Sequence, residues 1–519
     1  MTDSRIARFA GILMLATVLS RFLGYVWKAL LSAFYFGSAS DAFLRANTLP
    51  NMLYNILIGV LLSALFIPFF TRYLVKGERD QLWRLASALF NILFLILLVI
   101  SFLGVVFAPT LTSWLNPNSS PEDQILTTQL SQIMFPALVF LGWAGLLTAL
   151  LNSFQRFTLP ALAVVAFNSA LILFIYLFRD LGIQAAALGW SIAAGAQFLA
   201  QMPGLWGVRF RYDWRIFSHP DLKRMAILAL PLLLSATIDQ LSPFFEARLT
   251  SYLVEGSFTA LRNAGVIVQL PLGIFAMSVT TAIYPTLTGQ ISQKSFTLAK
   301  ESIRWAITAT ALFIIPSTIA LITLATPITR VLFQYGEVTT AGTGLASIAL
   351  ALYAPGLFAN STLMILFRAF YAMQDTLTPV LVTMAGLALQ IGLYFLLIGP
   401  LGLGGLALAS SLSAFFNLIL MTWFLRRKVG PIGIHAIGRS LGKMVAAAAI
   451  MGIVCWLLDG LLLRVLDVQR VTGRLLEVGA LIITGAFLYG LLLYLFKVKE
   501  IVPFLERAKL RLAALRRRN

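Results

Sequence analysis

The sequence predicts an all-α protein that crosses a membrane many times. Of its 519 residues, 59% are hydrophobic and only 11% are charged, and the mean hydropathy is +0.89. A soluble domain averages about 45–50% apolar and about 25% charged residues, so this chain has too little polar surface for a water-soluble particle of its size. Apolar runs of bilayer-spanning length, roughly 20 residues each, recur along the whole chain. Because the hydrocarbon contains no water, runs this long and continuously apolar are predicted to be helices rather than barrel strands.

Fourteen such segments are predicted to span the membrane. The first is too long for the apolar core of a signal peptide, about 7–15 residues, and we expect it to be retained. The predicted limits are 9–35, 46–71, 85–113, 126–152, 158–178, 183–208, 225–253, 258–290, 305–328, 345–367, 377–399, 402–425, 444–463 and 478–496.

The few cysteine and histidine residues exclude several classes of site. Cys455 is the single cysteine, so the chain has no intramolecular disulfide and no thiolate metal cluster. His219 and His435 are the two histidines, which excludes a histidine-rich metal site, and both are predicted to lie at the membrane interface.

The basic residues predict the orientation. The net charge is +19, and most of the 39 lysines and arginines fall in loops on one side of the predicted spans or in the tail that ends with Arg516–Arg518. Basic loops face the cytoplasm, so both termini are predicted to be cytoplasmic. We interpret this charge as anchoring on anionic lipid and not as nucleic-acid binding. The outer loops are predicted to hold Arg45, Arg179, Arg330, Arg464, Arg470 and Arg474.

The chain contains an internal repeat with an offset of 217–220 residues. The matching pairs are Leu159–Leu162 with Thr378–Leu381, Leu181–Leu188 with Leu401–Leu408, and Phe66–Pro68 with Ile283–Pro285. They predict an N-terminal six-helix lobe (1–208), a C-terminal six-helix lobe (209–425), and two extra transmembrane helices with a basic cytoplasmic tail (426–519). An even number of spans in each copy makes the repeat parallel. A central cavity between two such lobes is typical of alternating-access transporters.

The repeat also pairs four charges within the membrane. Arg21 aligns with Asp239 at an offset of 218, and Lys28 aligns with Glu246 at the same offset. The charges have opposite signs in the two copies, and seven residues separate them within each helix, so they share nearly one face. Charges at this depth cost at least about 2.5–3.5 kcal/mol each, so we expect them to face a cavity or one another. A static pair between the lobes is the alternative to a functional gate.

Several motifs resemble those of the MurJ (MviN) lipid II flippases, a family of the multidrug/oligosaccharidyl-lipid/polysaccharide superfamily. They cover nearly the whole chain in the family's order. The motifs are Ser20–Gly24, Asp41–Phe43, Leu49–Asn51, Leu151–Ser153 with Arg156–Phe157, Leu332–Gly336, and Phe370–Thr376 before Thr378–Pro379.

This resemblance implies fourteen helices in two lobes, with the last two helices forming a hydrophobic groove for a lipid tail. It implies an alternating-access flippase and no catalysis. The cargo would be the undecaprenyl-pyrophosphate-linked peptidoglycan precursor, lipid II, moved from the cytoplasmic to the outer leaflet of the bacterial inner membrane. We expect a monomer whose partners are this lipid and the surrounding membrane.

The charged cavity of the family is matched only in part. Arg21 and Asp41 carry over directly, but family arginines fall at Trp27, Tyr54 and Val266. Arg262 lies one turn before Val266 and presents charge on the same face. These departures leave the identity of the transported headgroup open.

The candidate site follows from the chemistry of a pyrophosphate, which binds arginine forks and ammonium groups. Arg21, Lys28 and Arg262 are predicted to bind it, and the resemblance adds Asp41. Asp239 and Glu246 are predicted to form the gate or to bind a coupling ion, either sodium or a proton. No other cofactor and no structural metal are predicted. Polar side chains that suit sugar hydroxyls or peptide amides are Asn47, Asn51, Tyr54, Asn55 and Gln269.

Other functions remain as alternatives. An enzyme is disfavoured because the chain has no nucleotide-binding loop of the Gly-x-x-x-x-Gly-Lys type, no His-Glu-x-x-His and no Asp-x-Asp. A flippase for another polyprenyl-linked glycan, a multidrug or cation antiporter of the same superfamily, and a scaffold that does not transport are the remaining candidates.

Overall fold

The computed structural model describes residues 3–208, 211–214 and 219–498. Side chains are described from Ala16 onward, except those of Ser63, Ser235, Asp239 and residues 434–437. The predicted basic tail beyond 498 lies outside the described residues, as does the side chain of His435.

The described residues form α-helices joined by short turns, with no β-strand among them. The helices before Leu249 are α1 (Asp3–Tyr35), α2 (Ser38–Tyr54), α3 (Ile67–Val75), α4 (Arg79–Val106), α5 (Ala108–Leu115), α6 (Pro121–Met134), α7 (Ala137–Ser153), α8 (Thr158–Leu177), α9 (Gln184–Leu199) and α10 (Asp221–Leu249). Those after it are α11 (Ser257–Pro271), α12 (Met277–Ser292), α13 (Phe296–Thr323), α14 (Ala325–Phe333), α15 (Thr340–Tyr353), α16 (Gly356–Ala372), α17 (Leu377–Leu401), α18 (Leu403–Val429), α19 (Ile434–Val465) and α20 (Val471–Leu495).

The described helices include 10 that are long and apolar enough to cross a membrane, or up to 12 if two bent pairs each count as one span. The bent pairs are α6 with α7, at 41°, and α15 with α16, at 46°. The other two predicted spans fall on α1 and on α9, which has 16 residues. The all-helical, multi-pass architecture is therefore confirmed, whereas the count of fourteen stays a prediction.

The repeat is visible in the backbone as well as in the sequence. Helices α4 and α13 both have 28 residues and begin 217 residues apart. The bends of the two helix pairs fall at Pro136 and Pro355, 219 residues apart, where a proline prevents the helix from continuing unbroken. The π-helical turns Asn55–Gly59 and Leu272–Ala276 lie 217 residues apart. Two copies of one helical unit therefore keep the same irregularities although most of their side chains differ.

The chain forms two compact units. The first comprises Met1–Thr259 and Tyr335–Val338, and the second comprises Ala260–Gln334 and Thr339–Asn519. Helix α10 thus belongs to the first compact unit, although the sequence predicts that it begins the second copy of the repeat. A compact unit and a repeat copy are different divisions of the chain, so the predicted boundaries at 208 and 425 stay predictions.

Each unit has its own apolar cores. In the first unit, one core lies among α3, α4 and α7, and another among α1, α2, α6, α8 and α9. In the second unit, one core lies among α12, α13, α16 and α18, and another joins α13 to α19 and α20. Large apolar side chains such as Phe102, Ile483 and Phe487 are exposed, as expected of helices that face lipid.

Candidate functional site

Helix α1 carries the two predicted basic ligands. Arg21 is exposed, and Lys28 is half-buried with its Nζ 5.5 Å from the centre of the Trp27 ring. Trp27 is itself buried and makes edge contacts with Phe43 and Trp190. The position at which the family has an arginine is therefore part of the apolar core here. Arg21 and Lys28 are the cations in the part of α1 whose side chains are described, from Ala16 onward.

Asp41 lies at the first turn of α2 and is 1% exposed. Its Oδ2 accepts hydrogen bonds from the backbone N–H groups of Gly256 (3.1 Å) and Phe258 (3.3 Å). Its Oδ1 accepts from the N–H (2.8 Å) and the hydroxyl (2.7 Å) of Thr259. The carboxylate therefore occupies the beginning of α11, where unpaired N–H groups and the helix dipole favour a negative charge. A role in headgroup binding stays a prediction for Asp41, and in this conformation its oxygens are taken by the protein.

Arg45 completes this cluster. Its Nη2 lies 3.5 Å from Asp41 Oδ2, and its guanidinium lies 5.8 Å from the centre of the Phe258 ring. Arg45 is 6% exposed, although the predicted limits of the membrane spans leave it in an outer loop. That placement was wrong because α2 begins at Ser38, before the continuously apolar run. The spacing Asp41–Arg45, i to i+4, is the signal that indicates the pair.

The loop between α14 and α15 contacts helix α1. The N–H of Glu337 donates to the carbonyl of Ala33 at 2.9 Å. Gly336 adopts a φ of +59°, and a Cβ at this position would lie 2.0 Å from the Ala33 oxygen. Only glycine permits both the conformation and the approach, which explains the glycine at the end of the Leu332–Gly336 motif.

Amide side chains form a ladder along α2 and its extension. Asn51 Nδ2 donates to Asn47 Oδ1 at 3.5 Å, and Asn55 Nδ2 donates to Asn51 Oδ1 at 2.8 Å. Asn55 Nδ2 also lies 3.2 Å from Gln240 Oε1 on α10. The Nδ2 of Asn47 is buried without a hydrogen-bond partner. Three of the predicted polar residues are thus brought together, and Gln240 joins them without any signal in the sequence.

The predicted acidic residues lie on α10. Glu246 is 8% exposed, and Ser242 Oγ lies 3.4 Å from its Oε1. The side chain of Asp239 lies outside the described residues. The gate of Arg21 and Lys28 with Asp239 and Glu246 therefore stays a prediction. Arg262, on α11, is half-buried, as is Val266 one turn later.

A polar cluster joins the end of α3 to the start of α10. Arg72 and the Tyr73 hydroxyl both donate to Asp221 Oδ2. The ring of His219 meets the Tyr73 ring edge-on at 5.3 Å, and its Nδ1 accepts from the Asp221 N–H at 3.2 Å. His219 is 4% exposed, and this burial lowers its pKa. His219 is therefore buried in the α3–α10 contact, and its position at the membrane interface stays a prediction.

The Phe370–Thr376 motif ends in a helix cap. Asp375 Oδ1 accepts from the N–H of Thr378 at 3.0 Å, and its Oδ2 accepts from the Thr378 hydroxyl at 2.6 Å and from Lys428 Nζ. Burial alone would raise the pKa of Asp375, but hydrogen bonds from Lys428 and Thr378 outweigh it and lower the pKa to about 2. This aspartate holds the beginning of α17 against the end of α18, so its role is structural.

The second unit contains an apolar cavity of about 570 Å³. Helices α13, α19 and α20 form most of its wall, with contributions from α14 and the end of α11. Phe275 and Phe313 stack on one another in this wall, with ring centres 4.8 Å apart. Cys455 and Tyr489 are among its few polar lining residues. A cavity with this lining suits a hydrocarbon chain.

Buried charges join α20 to α14. Arg330 Nη1 lies 3.0 and 3.3 Å from the two carboxylate oxygens of Glu477, which is 0% exposed. Arg474 is 7% exposed and donates to the carbonyls of Val468 (2.7 Å) and Gln334. Both arginines were predicted to lie in outer loops. Their burial is explained by acceptors that only the folded chain brings within reach.

The sequence of this chain is similar to those of known proteins. The family described as "Lipid II flippase MurJ" matches residues 30–474. The "Probable lipid II flippase MurJ" of Vibrio cholerae is 28% identical over 512 residues, covering 94% of this chain and 96% of its own. The "Lipid II flippase MurJ" of Burkholderia cenocepacia is 28% identical over 423 residues, covering 79% of this chain and 82% of its own.

Two solved structures show the same fold. A lipid II flippase MurJ in an inward closed conformation has a TM-score of 0.79 at 24% identity, covering 94% of this chain and 99% of that one. An inward-facing multidrug resistance MATE family transporter of the MOP superfamily has a TM-score of 0.66 at 16% identity, covering 81% of this chain and 98% of that one. The family match over residues 30–474 covers most of the chain, and the fold agrees with it: the chain belongs to the lipid II flippase MurJ family.

Proposed function

We propose that this protein moves lipid II from the cytoplasmic to the outer leaflet of the inner membrane by alternating access, for synthesis of the cell wall. The observation that carries the proposal is the family match over residues 30–474. The apolar cavity among α13, α19 and α20 supports it, because a lipid-linked substrate needs an apolar surface for its tail. No bond in the substrate needs to change, so the protein acts as a transporter.

The headgroup is proposed to bind through a reduced set of cations. Arg21, Lys28 and Arg262 would bind the pyrophosphate, since guanidinium and ammonium groups bind phosphate oxygens well. Trp27, Tyr54 and Val266 replace cations of the family with uncharged side chains, so fewer positive charges face the substrate than in the family pattern. The amides of Asn51, Asn55 and Gln240 are proposed to contact sugar hydroxyls or peptide amides.

Arg21→Ala is expected to abolish rescue of a bacterium depleted of its own lipid II flippase, while the variant still reaches the membrane. Arg21 is exposed, so the substitution should leave folding intact and remove only the charge that binds pyrophosphate. The measurement is growth after depletion, with membrane abundance determined by immunoblot. Arg179→Ala is the matched control, because its side chain is 60% exposed and lies outside the proposed site. Full rescue by Arg21→Ala would overturn the assignment of this residue.

A reconstituted system distinguishes between the alternative cargoes. Purified protein in liposomes is offered labelled lipid II, another polyprenyl-linked glycan, or a cationic drug. Transport of lipid II alone supports the proposal, whereas transport of the second or third substrate alone supports the corresponding alternative. Repeating the assay with a sodium or a proton gradient tests the proposed coupling ion at Asp239 and Glu246. The protein is proposed to act as a monomer, and light scattering of the purified protein in detergent tests this.

Both termini are proposed to be cytoplasmic, with the connection between α19 and α20 on the opposite side. Activity reporters fused after Asp467 and after Asn519 are expected to report opposite sides of the membrane. The physical reason is the positive-inside rule, since basic residues concentrate in the loops assigned to the cytoplasm. Reporters on the same side would contradict the proposed topology.

A further inference from the structure

A charged cluster in the second unit joins α19, α20 and α14. Glu477 of α20 is 0% exposed, and its two carboxylate oxygens lie 3.0 and 3.3 Å from Arg330 Nη1 on α14. Asp459 of α19 is half-buried, and its side chain lies within hydrogen-bonding distance of Glu477. The Oδ1 atom of Asp459 is buried, and no donor reaches it. Two carboxyl groups from neighbouring helices therefore face one another beside the Arg330 guanidinium.

Ionisation of both carboxyl groups would make this contact unfavourable. An ionised carboxylate only accepts hydrogen bonds, so two of them repel one another and leave the buried Oδ1 without a donor. Two negative charges would also face the one positive charge of Arg330, inside a membrane helix where an unbalanced charge is costly. One proton removes these costs, because it forms an O–H group that donates to the second carboxylate and leaves one negative charge opposite Arg330.

The other charged side chains near this end of α19 and α20 are exposed or make contacts elsewhere. Arg470 is 80% exposed and lies 3.2 Å from Asp467 in the connection between the helices, and Arg464 is exposed. Arg474, one turn before Glu477, donates to three backbone carbonyls, those of Val468, Gln334 and Gln469. Among the described residues, Arg330 is therefore the cation that contacts the carboxyl pair.

We propose that Asp459 and Glu477 form a proton-binding site, in which the two carboxyl groups share one proton. The proton comes from water and forms an O–H bond with an oxygen of one carboxylate, which then donates to the other carboxylate. No group is oxidised or reduced, and the negative charge that remains is balanced by Arg330. The site goes beyond the proposed function, because its chemistry depends on these three side chains and not on a lipid.

The depth of the pair indicates which side supplies the proton. Asp459 lies six residues before the end of α19, and Glu477 lies six residues after the start of α20. At about 1.5 Å per residue, both are about 9 Å from the connection between the helices. One turn further from the connection, Cys455 and Leu481 line the apolar cavity, whose wall offers a proton few acceptors. The pair therefore exchanges its proton with water at the connection and not through the cavity.

The proton determines how α20 packs against α19. With the proton in place, a hydrogen bond between Asp459 and Glu477 joins the two helices. Without it, like charges from the two helices repel one another at a buried contact. Loss of the proton is therefore expected to loosen the ends of α19 and α20 near their connection, and uptake is expected to tighten them.

Infrared spectroscopy of the purified full-length protein in detergent at neutral pH tests the shared proton. The unchanged protein should show the C=O stretching band of a protonated carboxyl group, and this band should shift in deuterated water. Asp459→Asn is expected to lose the band of one carboxyl group. Glu477→Gln is expected to lose it as well, because Asp459 would then ionise beside Arg330. Asp467→Asn is the matched control and should keep the band, because Asp467 is a 57% exposed carboxylate in the connection.

Unfolding as a function of pH gives a second readout. In the unfolded chain both carboxyl groups are in water and ionised at neutral pH, so the folded protein binds one proton more. Stability should therefore fall as the pH rises. The unfolding equilibrium constant of the unchanged protein should increase up to about tenfold per pH unit relative to Asp459→Asn, until the pair has lost its proton. The amide of Asn replaces the protonated carboxyl as a donor, so both proteins should be similarly stable at neutral pH.

Three results would overturn the proposal. A carboxyl band that persists in Asp459→Asn or in Glu477→Gln would place the proton elsewhere. The same pH dependence of unfolding in the unchanged protein and in Asp459→Asn would show that the pair releases no proton. Carboxylate bands that change when sodium replaces potassium, without a band of a protonated carboxyl, would show a metal ion in place of the proton. No lipid enters these measurements, so their failure leaves the proposed function standing.

Discussion

Asp41→Ala is expected to lower the free energy of unfolding by roughly 3–5 kcal/mol, the cost of breaking a buried ion pair by removing one partner. The substitution leaves the Arg45 guanidinium, 6% exposed, without its carboxylate. It also leaves the N–H groups of Gly256, Phe258 and Thr259 without their acceptor. The measurement is unfolding of the purified protein in detergent, with circular dichroism at the helix wavelength.

Asp80→Ala is the control for the loss of a carboxylate. Its side chain is 87% exposed, and its contact with Arg211 spans 3.9 Å at the surface. Exposed ion pairs contribute little, so no change in the midpoint of unfolding is expected. If Asp41→Ala unfolds like the unchanged protein but no longer binds lipid II, then Asp41 is a substrate ligand as the sequence analysis predicted. The hydrogen bonds that Asp41 accepts at the beginning of α11 would then contribute nothing to stability.

Arg330→Ala is expected to lower the free energy of unfolding by about 3 kcal/mol, at the low end for a buried pair because the Arg330 side chain is 17% exposed. The remaining carboxylate of Glu477 is 0% exposed and would lose both of its contacts with the Arg330 guanidinium. The loss should appear first in the packing of α20 on α14. Relative to the unchanged protein, hydrogen exchange should accelerate more in α20 than in α4, and the midpoint of unfolding should be lower.

The double variant Arg330→Met/Glu477→Gln tests whether the unpaired charge of Glu477 causes the loss of stability expected in Arg330→Ala. Removing both charges avoids an uncompensated buried ion, so the double variant should be markedly more stable than Arg330→Ala. A double variant as unstable as the single one would show that Arg330 acts through packing. The ion pair would then not hold α20 in place.

The sequence by itself determined the class of fold, the order of the membrane helices and the family. These properties depend on composition and on local apolar runs, which are visible without knowing any long-range contact. The repeat was also predicted from short matches such as Leu159–Leu162 with Thr378–Leu381. The equal lengths of α4 and α13 and the matched π-helical turns bear it out.

Only the tertiary structure decided what the charged residues do. Arg45, Arg330 and Arg474 were assigned to outer loops, yet each is largely buried, beside Asp41, Glu477 or backbone carbonyls. The carboxylate of Asp41, on α2, accepts hydrogen bonds from the beginning of α11, more than 200 residues away along the chain, while its predicted role toward the substrate stays a prediction. A charge near a membrane boundary is tolerated either in water or beside a buried partner, and a linear sequence does not show which of these it has. The partner comes from another helix, so the structural role of such a charge is defined only when the helices pack.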